Sequence, residues 1–375
     1  MRIGIEAQRI FRPKKHGMDI VILEVLKQLQ YIQSKDEFFV YAQPDSDVST
    51  LHNGYNINLQ MPGPASYPVW EQKHLPSAAK KDKVHLLHCT SNTAPVSINI
   101  PLIVTIHDII YLEKWMLREG SWYQRFGNLY RRWNVPKIAK QAQTIITVSN
   151  YERERIIEGL KIKPECVKTI YNACGNHFTP DRDVEKLKAF KEKMNLPDRF
   201  VLFLGNTDPK KNLPNVMKAL GIIYKKGKLD FKLVMPDFGR ESLLNILKEQ
   251  GNEKLIEHVM LTGYIPNNEL PNLYRLAEIF LYPSIRESFG IPILEAMACG
   301  TPVITSNTSA MPEIAGKDAM LVDPFKAEQI AETILLLLNN NTLRNNTIDY
   351  GKKRAADFSW NKTAQEVLSV YRSLS

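Results

Sequence analysis

Cysteine is scarce: the 375-residue chain has four, Cys89, Cys166, Cys174 and Cys299. They lack metal-ligand spacing, and so few thiols in a chain this long build no disulfide framework, so reduced thiols are expected. Long apolar runs are missing as well. Even Ile334-Leu-Leu-Leu-Leu338 stops at three asparagines, well short of the roughly 20 residues that cross a bilayer. No Gly-x-Gly-x-x-Gly follows the first apolar segment, where a lone Gly17 stands, which argues against a nicotinamide-dependent Rossmann enzyme. Nor is there a secretory leader, since Met1-Arg-Ile-Gly-Ile5 runs straight into a strand pattern and then a charged loop; a cytoplasmic protein is expected.

Hydrophobic residues make up 44% and charged residues 24%, the balance of a globular chain long enough for two domains with substantial cores. The net charge of +9 is unevenly placed: residues 1–180 carry 23 Lys and Arg against 16 Asp and Glu, the remainder 26 against 24. A basic first half suits an acidic substrate, an anionic lipid surface or nucleic acid, or simply a solubilising exterior. No nucleic-acid module is recognisable, so nucleic acid is not expected as a partner.

Apolar runs of strand length recur with helix-sized segments between them, the signature of parallel α/β sheets. In the first half they cover residues 3–5, 38–42, 85–88, 102–105, 144–148 and 167–170, with a mostly buried helix over 20–29. A charged helical segment over 181–197 precedes a second set at 200–204, 231–235, 259–261, 279–282, 303–305 and 320–322. Residues 359–374 read as an amphipathic helix that starts at a serine cap.

The most telling stretch is Tyr282-Pro-Ser-Ile-Arg-Glu287-Ser-Phe-Gly-Ile-Pro-Ile-Leu-Glu295-Ala-Met-Ala-Cys-Gly-Thr-Pro302. It reads as strand end, glycine loop, short helix and stop. Pro292 suits the first helical turn, Ala296 and Ala298 favour helix, Gly300 takes a left-handed cap and Pro302 prevents continuation. The loop holds Glu287 and Gly290, whose missing side chain lets main-chain N–H groups approach an anion at the positive end of the helix. With Glu295 eight positions further on, two carboxylates flank an anion site, which suits a polyhydroxylated ligand carrying phosphate. Glycoside hydrolysis also uses two carboxylates, but they must straddle one bond, and here they are directed to different places.

Other segments point the same way. Gly205-Asn-Thr-Asp-Pro-Lys210-Lys211-Asn212 follows the first strand of the second set, with a turn at Asp208-Pro209 and Asn212 as cap of the next helix. Its lysines sit where open α/β sheets place ligands and can offset a diphosphate. Thr105-Ile-His107-Asp108 ends a strand of the first half, with His107 expected to donate a hydrogen bond and Asp108 to orient the ring or loop. Between 111 and 140, Trp115, Trp122 and Trp133 lie among Arg118, Arg125, Arg131, Arg132, Lys137 and Lys140. That interleaving suits an anionic membrane or a glycolipid acceptor; core tryptophans beside a solvated basic face are the alternative. Asp45-Ser-Asp47 reads as a turn rather than a metal motif.

The two-glutamate stretch, the 205–213 loop and the His107-Asp108 element together resemble the signature of retaining family 4 glycosyltransferases, similar to bacterial mannosyltransferases of surface polysaccharide synthesis. The resemblance implies an α/β protein of GT-B fold, with two Rossmann-like domains whose parallel sheets face across a cleft. These would be an acceptor domain over 1–180, a nucleotide-sugar donor domain over 181–358 and a terminal helix over 359–375 returning to the first. It implies catalytic roles for His107, Lys211 and Glu287, and donor contacts from Gly17, Asn206, Thr207, Lys210, Ile265, Ser288, Phe289, Gly290, Ile291 and Glu295. Lys210 and Asn206 stand where the family has arginine and threonine, and Asn172-Ala-Cys-Gly departs from its Asn-Gly-Val-Asp. The function implied is retaining transfer of a sugar, with GDP-mannose among the donors, to a glycan or lipid-linked glycan in cell-surface polysaccharide assembly. It needs no metal or cofactor and is expected in the cytoplasm, with peripheral contact at the inner face of the membrane. A GT-B sugar-nucleotide epimerase, a glycogen-synthase-like enzyme and a non-catalytic glycan- or nucleic-acid-binding protein remain as alternatives.

Overall fold

A computed structural model describes residues 1–15, 17–112, 122–181, 183–205 and 208–374, with the side chains of 122–125 outside that description. The chain divides into two compact units, Met1–Asn172 with Trp360–Ser375, and Ala173–Ser359.

The first unit holds a seven-stranded sheet: β1 (Arg2–Glu6), β2 (Glu37–Tyr41), β3 (Ile57–Gln60), β4 (Leu86–Cys89), β5 (Leu102–Thr105), β6 (Thr144–Thr147) and β7 (Val167–Thr169). All neighbours are parallel, in the order β3-β2-β1-β4-β5-β6-β7. Helices connect such strands and cover both faces, so β4, β5 and β6 are buried at every residue and their sequences run apolar with little alternation. The sequence pattern does not reveal β3. It is an edge strand in which only Ile57 is fully buried, and Asn58 and Gln60 break the apolar run.

The second unit holds six strands, β8 (Phe200–Phe203), β9 (Lys232–Pro236), β10 (Val259–Gly263), β11 (Ile279–Tyr282), β12 (Val303–Ser306) and β13 (Met320–Val322), in the order β10-β9-β8-β11-β12-β13. This sheet is also parallel. Successive side chains point to opposite faces, so Phe200 and Leu202 enter one core while Val201 and Phe203 enter the other. Burying each such side chain contributes about 1.5–3 kcal/mol.

Both sheets reverse their strand order once, between β1 and β4 and between β8 and β11. Connections leave such neighbours in opposite directions, so the loops at their carboxyl ends part and open a crevice.

The Trp360–Arg372 helix belongs to the first unit and packs on the Gly17–Tyr31 helix. Tyr371 OH lies 2.7 Å from His88 Nδ1, and His88 Nε2 lies 2.7 Å from Thr105 Oγ1, which fastens the helix to the centre of the sheet. Burial, with a smaller contribution from His107, lowers the His88 pKa to about 3, so this bridge is a neutral imidazole across the physiological range. Among the described residues no helix is long and apolar enough to cross a membrane.

Candidate active site

Loops after β8 and β11 build the crevice of the second unit. Beyond β8 the chain turns at Asp208, whose carboxylate accepts from Lys210 N at 3.1 Å, and the short Pro209–Lys211 turn follows. Ile285 N donates to Lys210 O at 2.7 Å, which ties one loop to the other. Asn212, expected to cap the Leu213–Lys225 helix, makes no side-chain cap. Held at a left-handed φ of 63°, it donates its amide to the carbonyls of Pro283 (2.9 Å) and Pro324 (2.6 Å). It thereby joins the loops after β8, β11 and β13.

Within this frame Lys211 Nζ donates to Glu287 Oε1 at 2.7 Å and to the Tyr282 hydroxyl at 2.8 Å. The two charged side chains are only 17% and 13% exposed. Burial disfavours the Lys211 ammonium, but Tyr282 and the Glu287 carboxylate more than offset it and hold its pKa above the ordinary lysine range. Burial pushes the Glu287 carboxyl up, yet the charges of Lys211 and Lys210, with hydrogen bonds from Lys211 and Ser284, outweigh it and hold it below the usual range. Both partners are therefore charged at neutral pH. From the far side, Ser309 Oγ donates to the Glu287 carbonyl at 2.6 Å and lies 3.1 Å from its N–H.

The Ile291–Ala298 helix starts beside this pair. Gly290 occupies its N-cap at φ 97°, and Pro292 sits in the first turn. A Cβ at Gly290 would be strained by that φ and would stand 3.1 Å from Ile293 Cδ1. Phe289 is buried edge-on against Phe358, and Ile265, after β10, is a core residue, so neither side chain is open to solvent. Ser288 and Ile291 are half-buried on either side. Further along, the Tyr274 hydroxyl donates to Glu295 Oε2 at 2.9 Å. Burial raises the Glu295 carboxyl to about 7, against the pull of that hydrogen bond.

His107 and Gly17 belong to the first unit. His107 is buried, with Nε2 3.0 Å from the Thr90 carbonyl and its main-chain N–H 2.6 Å from Asn92 Oδ1. A carbonyl only accepts, so Nε2 carries the proton. Burial, partly countered by Thr90, Asp108 and Asp19, lowers the ring's pKa. The other nitrogen of a neutral ring is an acceptor, so donation to a ligand, as expected from the sequence, has no N–H left to use. Asp108 Oδ1 accepts from Ile110 N at 3.1 Å. Gly17 opens its helix with nothing within 4 Å of where a Cβ would stand, so packing does not demand glycine there. Asp47 pairs with Lys15, so Asp45-Ser-Asp47 belongs to a turn braced by a cation. Asn206, Thr207, His16, Trp115, Arg118 and the side chains of Trp122 and Arg125 lie outside the described residues.

Sequence reasoning assigned no role to Tyr282, Tyr274 or Ser309. The available signal was a tyrosine as the last residue of an otherwise aliphatic and aromatic buried strand, where a hydroxyl needs a partner.

Residues 16–174 match the family described as Glycosyltransferase Family 4, and residues 184–354 the one described as Glycosyl transferases group 1. Between them the matches take in most of the chain, and it belongs to the family 4 glycosyltransferases of GT-B fold. The O-antigen chain mannosyltransferase B of Escherichia coli is 29% identical over 235 residues, covering 62% of this chain and 61% of that protein. The serotype-specific mannosyltransferase WbdA of Escherichia coli is 26% identical over 253 residues, covering 65% of this chain and 31% of WbdA. The chain thus spans less than two thirds of the length of either relative. Among solved structures, Anabaena Alr3699/HepE in complex with UDP and glucose shares the fold, with TM-score 0.74, 17% identity and 100% of both chains covered.

Lys211→Met leaves the Glu287 carboxylate shielded and without its cation, and is expected to cost about 3 kcal/mol at pH 7, the low end for a buried pair because this one is partly exposed. The folded-state pKa of Glu287 lies below its ordinary 4.5, so the pair's contribution is present above that value and is lost as pH falls through the folded pKa. Urea unfolding from pH 7 down to pH 3 should show this acid loss in the wild type and little of it in the variant. Equal acid dependence in the two proteins rules out the pair as its source.

Proposed function

We propose that the chain transfers a hexose from a nucleotide-sugar donor to a hydroxyl of a glycan or lipid-linked glycan, with retention of the anomeric configuration. One observation carries this reading: the shielded Lys211–Glu287 ion pair at the strand-order reversal of the second unit, beside the start of the Ile291–Ala298 helix. In this reading the donor's diphosphate lies against Lys211, Lys210 and the main-chain N–H groups of residues 289–291. Glu287 orients the sugar, Glu295 accepts from the ribose hydroxyls, and the first unit receives the acceptor. As the bond from the anomeric carbon to the phosphate oxygen breaks, the acceptor oxygen bonds to that carbon on the same face, and its proton passes to the leaving phosphate. Lys211 and the amides stabilise the charge that gathers on the diphosphate. The names of the two Escherichia coli relatives support mannose as the sugar, and surface polysaccharide as the product class. The HepE complex supports a nucleotide-bound state of this fold and keeps uridine donors in the panel.

Incubation with GDP-mannose, UDP-glucose and related donors, with and without glycan acceptors, tests the reading. Glu287→Ala and Lys211→Ala are each expected to lower transfer by about 100-fold or more. Near-wild-type turnover in both variants overturns the site, and an epimerised donor in place of a glycosylated acceptor overturns the transfer.

Glu295 supplies a pH signature. With its carboxyl raised to about 7, ribose binding to the ionised form strengthens as pH rises through neutrality. Nucleotide-sugar affinity should increase about tenfold from pH 6 to pH 8, the change in ionised fraction for such a group. Glu295→Gln should flatten the curve; a slope unchanged in that variant assigns the titration to another group.

The Trp122–Gln141 helix supports peripheral contact with an anionic membrane at the inner face. Phe126, Leu129 and Trp133 are 79%, 69% and 46% exposed at helical spacing along one face, so Trp133 is not a core residue. Lys137 Nζ sits 4.2 Å from the centre of the Trp133 ring, and Lys140 is exposed on the same face. Aromatic anchors flanked by cations suit the headgroup layer. The protein should float with phosphatidylglycerol vesicles and not with phosphatidylcholine ones, and Phe126→Ser with Trp133→Ser should abolish flotation. Equal behaviour on both lipids counts against the contact.

A further inference from the structure

A second crevice opens in the first unit, where strand order reverses between β1 and β4. Its base is set by Glu6 at the end of β1, whose carboxylate accepts from the main-chain N–H groups of Gln8 (3.0 Å) and Thr90 (3.1 Å) and from the Thr90 hydroxyl (3.3 Å). One wall comes from the segment before β4, where a π-helical turn at Trp70–His74 carries a second buried carboxylate, Glu71. Such turns displace side chains from the regular helical stagger. Glu71 accepts from the hydroxyls of Tyr67 (2.9 Å), Thr93 and Tyr130, and from the Gln72 amide (3.0 Å). The first of these bonds fixes the Tyr67 ring, and over that ring stands the guanidinium of Arg9, 4.7 Å from its centre.

Arg9 is the unusual member of this group. Neither Glu6 nor Glu71 pairs with it, and both carboxylates are already engaged by neutral donors. Among the described residues its side chain has no hydrogen-bond acceptor, and its Nε is closed off from solvent. Lys15, in the same loop, is by contrast paired with Asp47. A guanidinium held on an aromatic face keeps a rigid fork of N–H donors, and that fork matches the oxygens of a carboxylate or phosphate. The loop carrying it leaves the carboxyl end of β1, where an open parallel sheet takes its ligand.

We propose that Arg9 binds a negatively charged group of the acceptor, a carboxylate or a phosphate, seated between β1 and β4. This rests on the transferase reading above, in which the first unit receives the acceptor. The acceptor is then an acidic glycan or a glycan close to a lipid-linked phosphate, and a neutral sugar of the same shape binds less well.

The test is calorimetric titration of the protein with methyl α-mannoside, mannose 1-phosphate and mannuronic acid, with GDP saturating so that the phosphate contacts of the second unit are occupied. At least one charged sugar is expected to bind tenfold or more tighter than methyl α-mannoside. Arg9→Gln should remove that preference while leaving GDP affinity unchanged. Preference for the phosphate indicates a lipid-phosphate acceptor, and preference for the carboxylate an acidic glycan. Absence of a preference in the wild-type protein overturns the proposal whether or not the variant folds. So does an Arg9→Gln protein that keeps the preference, or one that loses GDP binding in equal measure, which would place Arg9 on the donor. Failure of the transferase reading shows separately, as GDP and nucleotide sugars that do not bind or that bind equally well to Lys211→Ala. The three-sugar comparison decides on Arg9 in either case.

Discussion

The contact between Lys211 and Glu287 ties together two loops of the second unit. The partners are 76 residues apart in the chain and come from loops that follow different strands. Either charge alone would be poorly placed, because each is shielded from water and a lone shielded charge is costly. The surrounding hydrogen bonds make the meeting unavoidable. Ile285 holds the main chain of Lys210, Asn212 holds Pro283 and Pro324, and Ser309 holds the main chain of Glu287 from behind. A site that gathers a cation, a carboxylate and a helix start in this way is organised before any ligand arrives, which is what electrostatic stabilisation of a leaving group requires.

The two carboxylates of this region titrate in opposite directions for a simple reason. Glu287 faces two lysines, and their charge overrides its burial. Glu295, one turn into the helix, faces a tyrosine hydroxyl instead, and its burial goes largely unopposed. Glu287 is thus a fixed charge over the whole neutral range, whereas Glu295 passes between donor and acceptor near pH 7. Their stability contributions are opposite as well. The first is lost on acidification, while the second is present below about 4.5 and lost as pH rises through about 7.

Much of the fold is legible in the sequence because parallel strands are buried on both faces. Leu-Ile-Val-Thr in β5 and Phe-Val-Leu-Phe in β8 announce themselves as short apolar runs. β3 does not, since an edge strand with one neighbour can carry Asn58 and Gln60. The start of the Ile291–Ala298 helix is legible because Gly290 and Pro292 act locally, through their own backbone preferences. Side-chain partners are a different matter. Asn212 has the composition of a cap, yet its left-handed φ turns its amide toward two distant carbonyls. His107 has the look of a donor, but Thr90, whose carbonyl already accepts its ring N–H, lies on the loop after a neighbouring strand. Neither partner can be read from spacing along the chain, because each is fixed by sheet order.

One topology gives the two units chemically different crevices, and the difference lies in what opposes the buried carboxylates. In the second unit a carboxylate meets a cation, so the charge of Lys211 is already balanced, and in the proposed transfer an incoming diphosphate would share it with Glu287. In the first unit Glu6 and Glu71 meet hydroxyls and amides, so they are satisfied without consuming a cation, and the charge of Arg9 stays outside their hydrogen bonds. Sharing suits a ligand group that must depart as its charge grows, because Glu287 remains to receive Lys211 once the anion leaves. An uncommitted guanidinium suits a group that must be held in place and not transformed. On the proposed transfer, the placing of the cations therefore distinguishes a crevice fitted to a leaving group from one fitted to an anchor, even though both arise at the same kind of reversal in strand order.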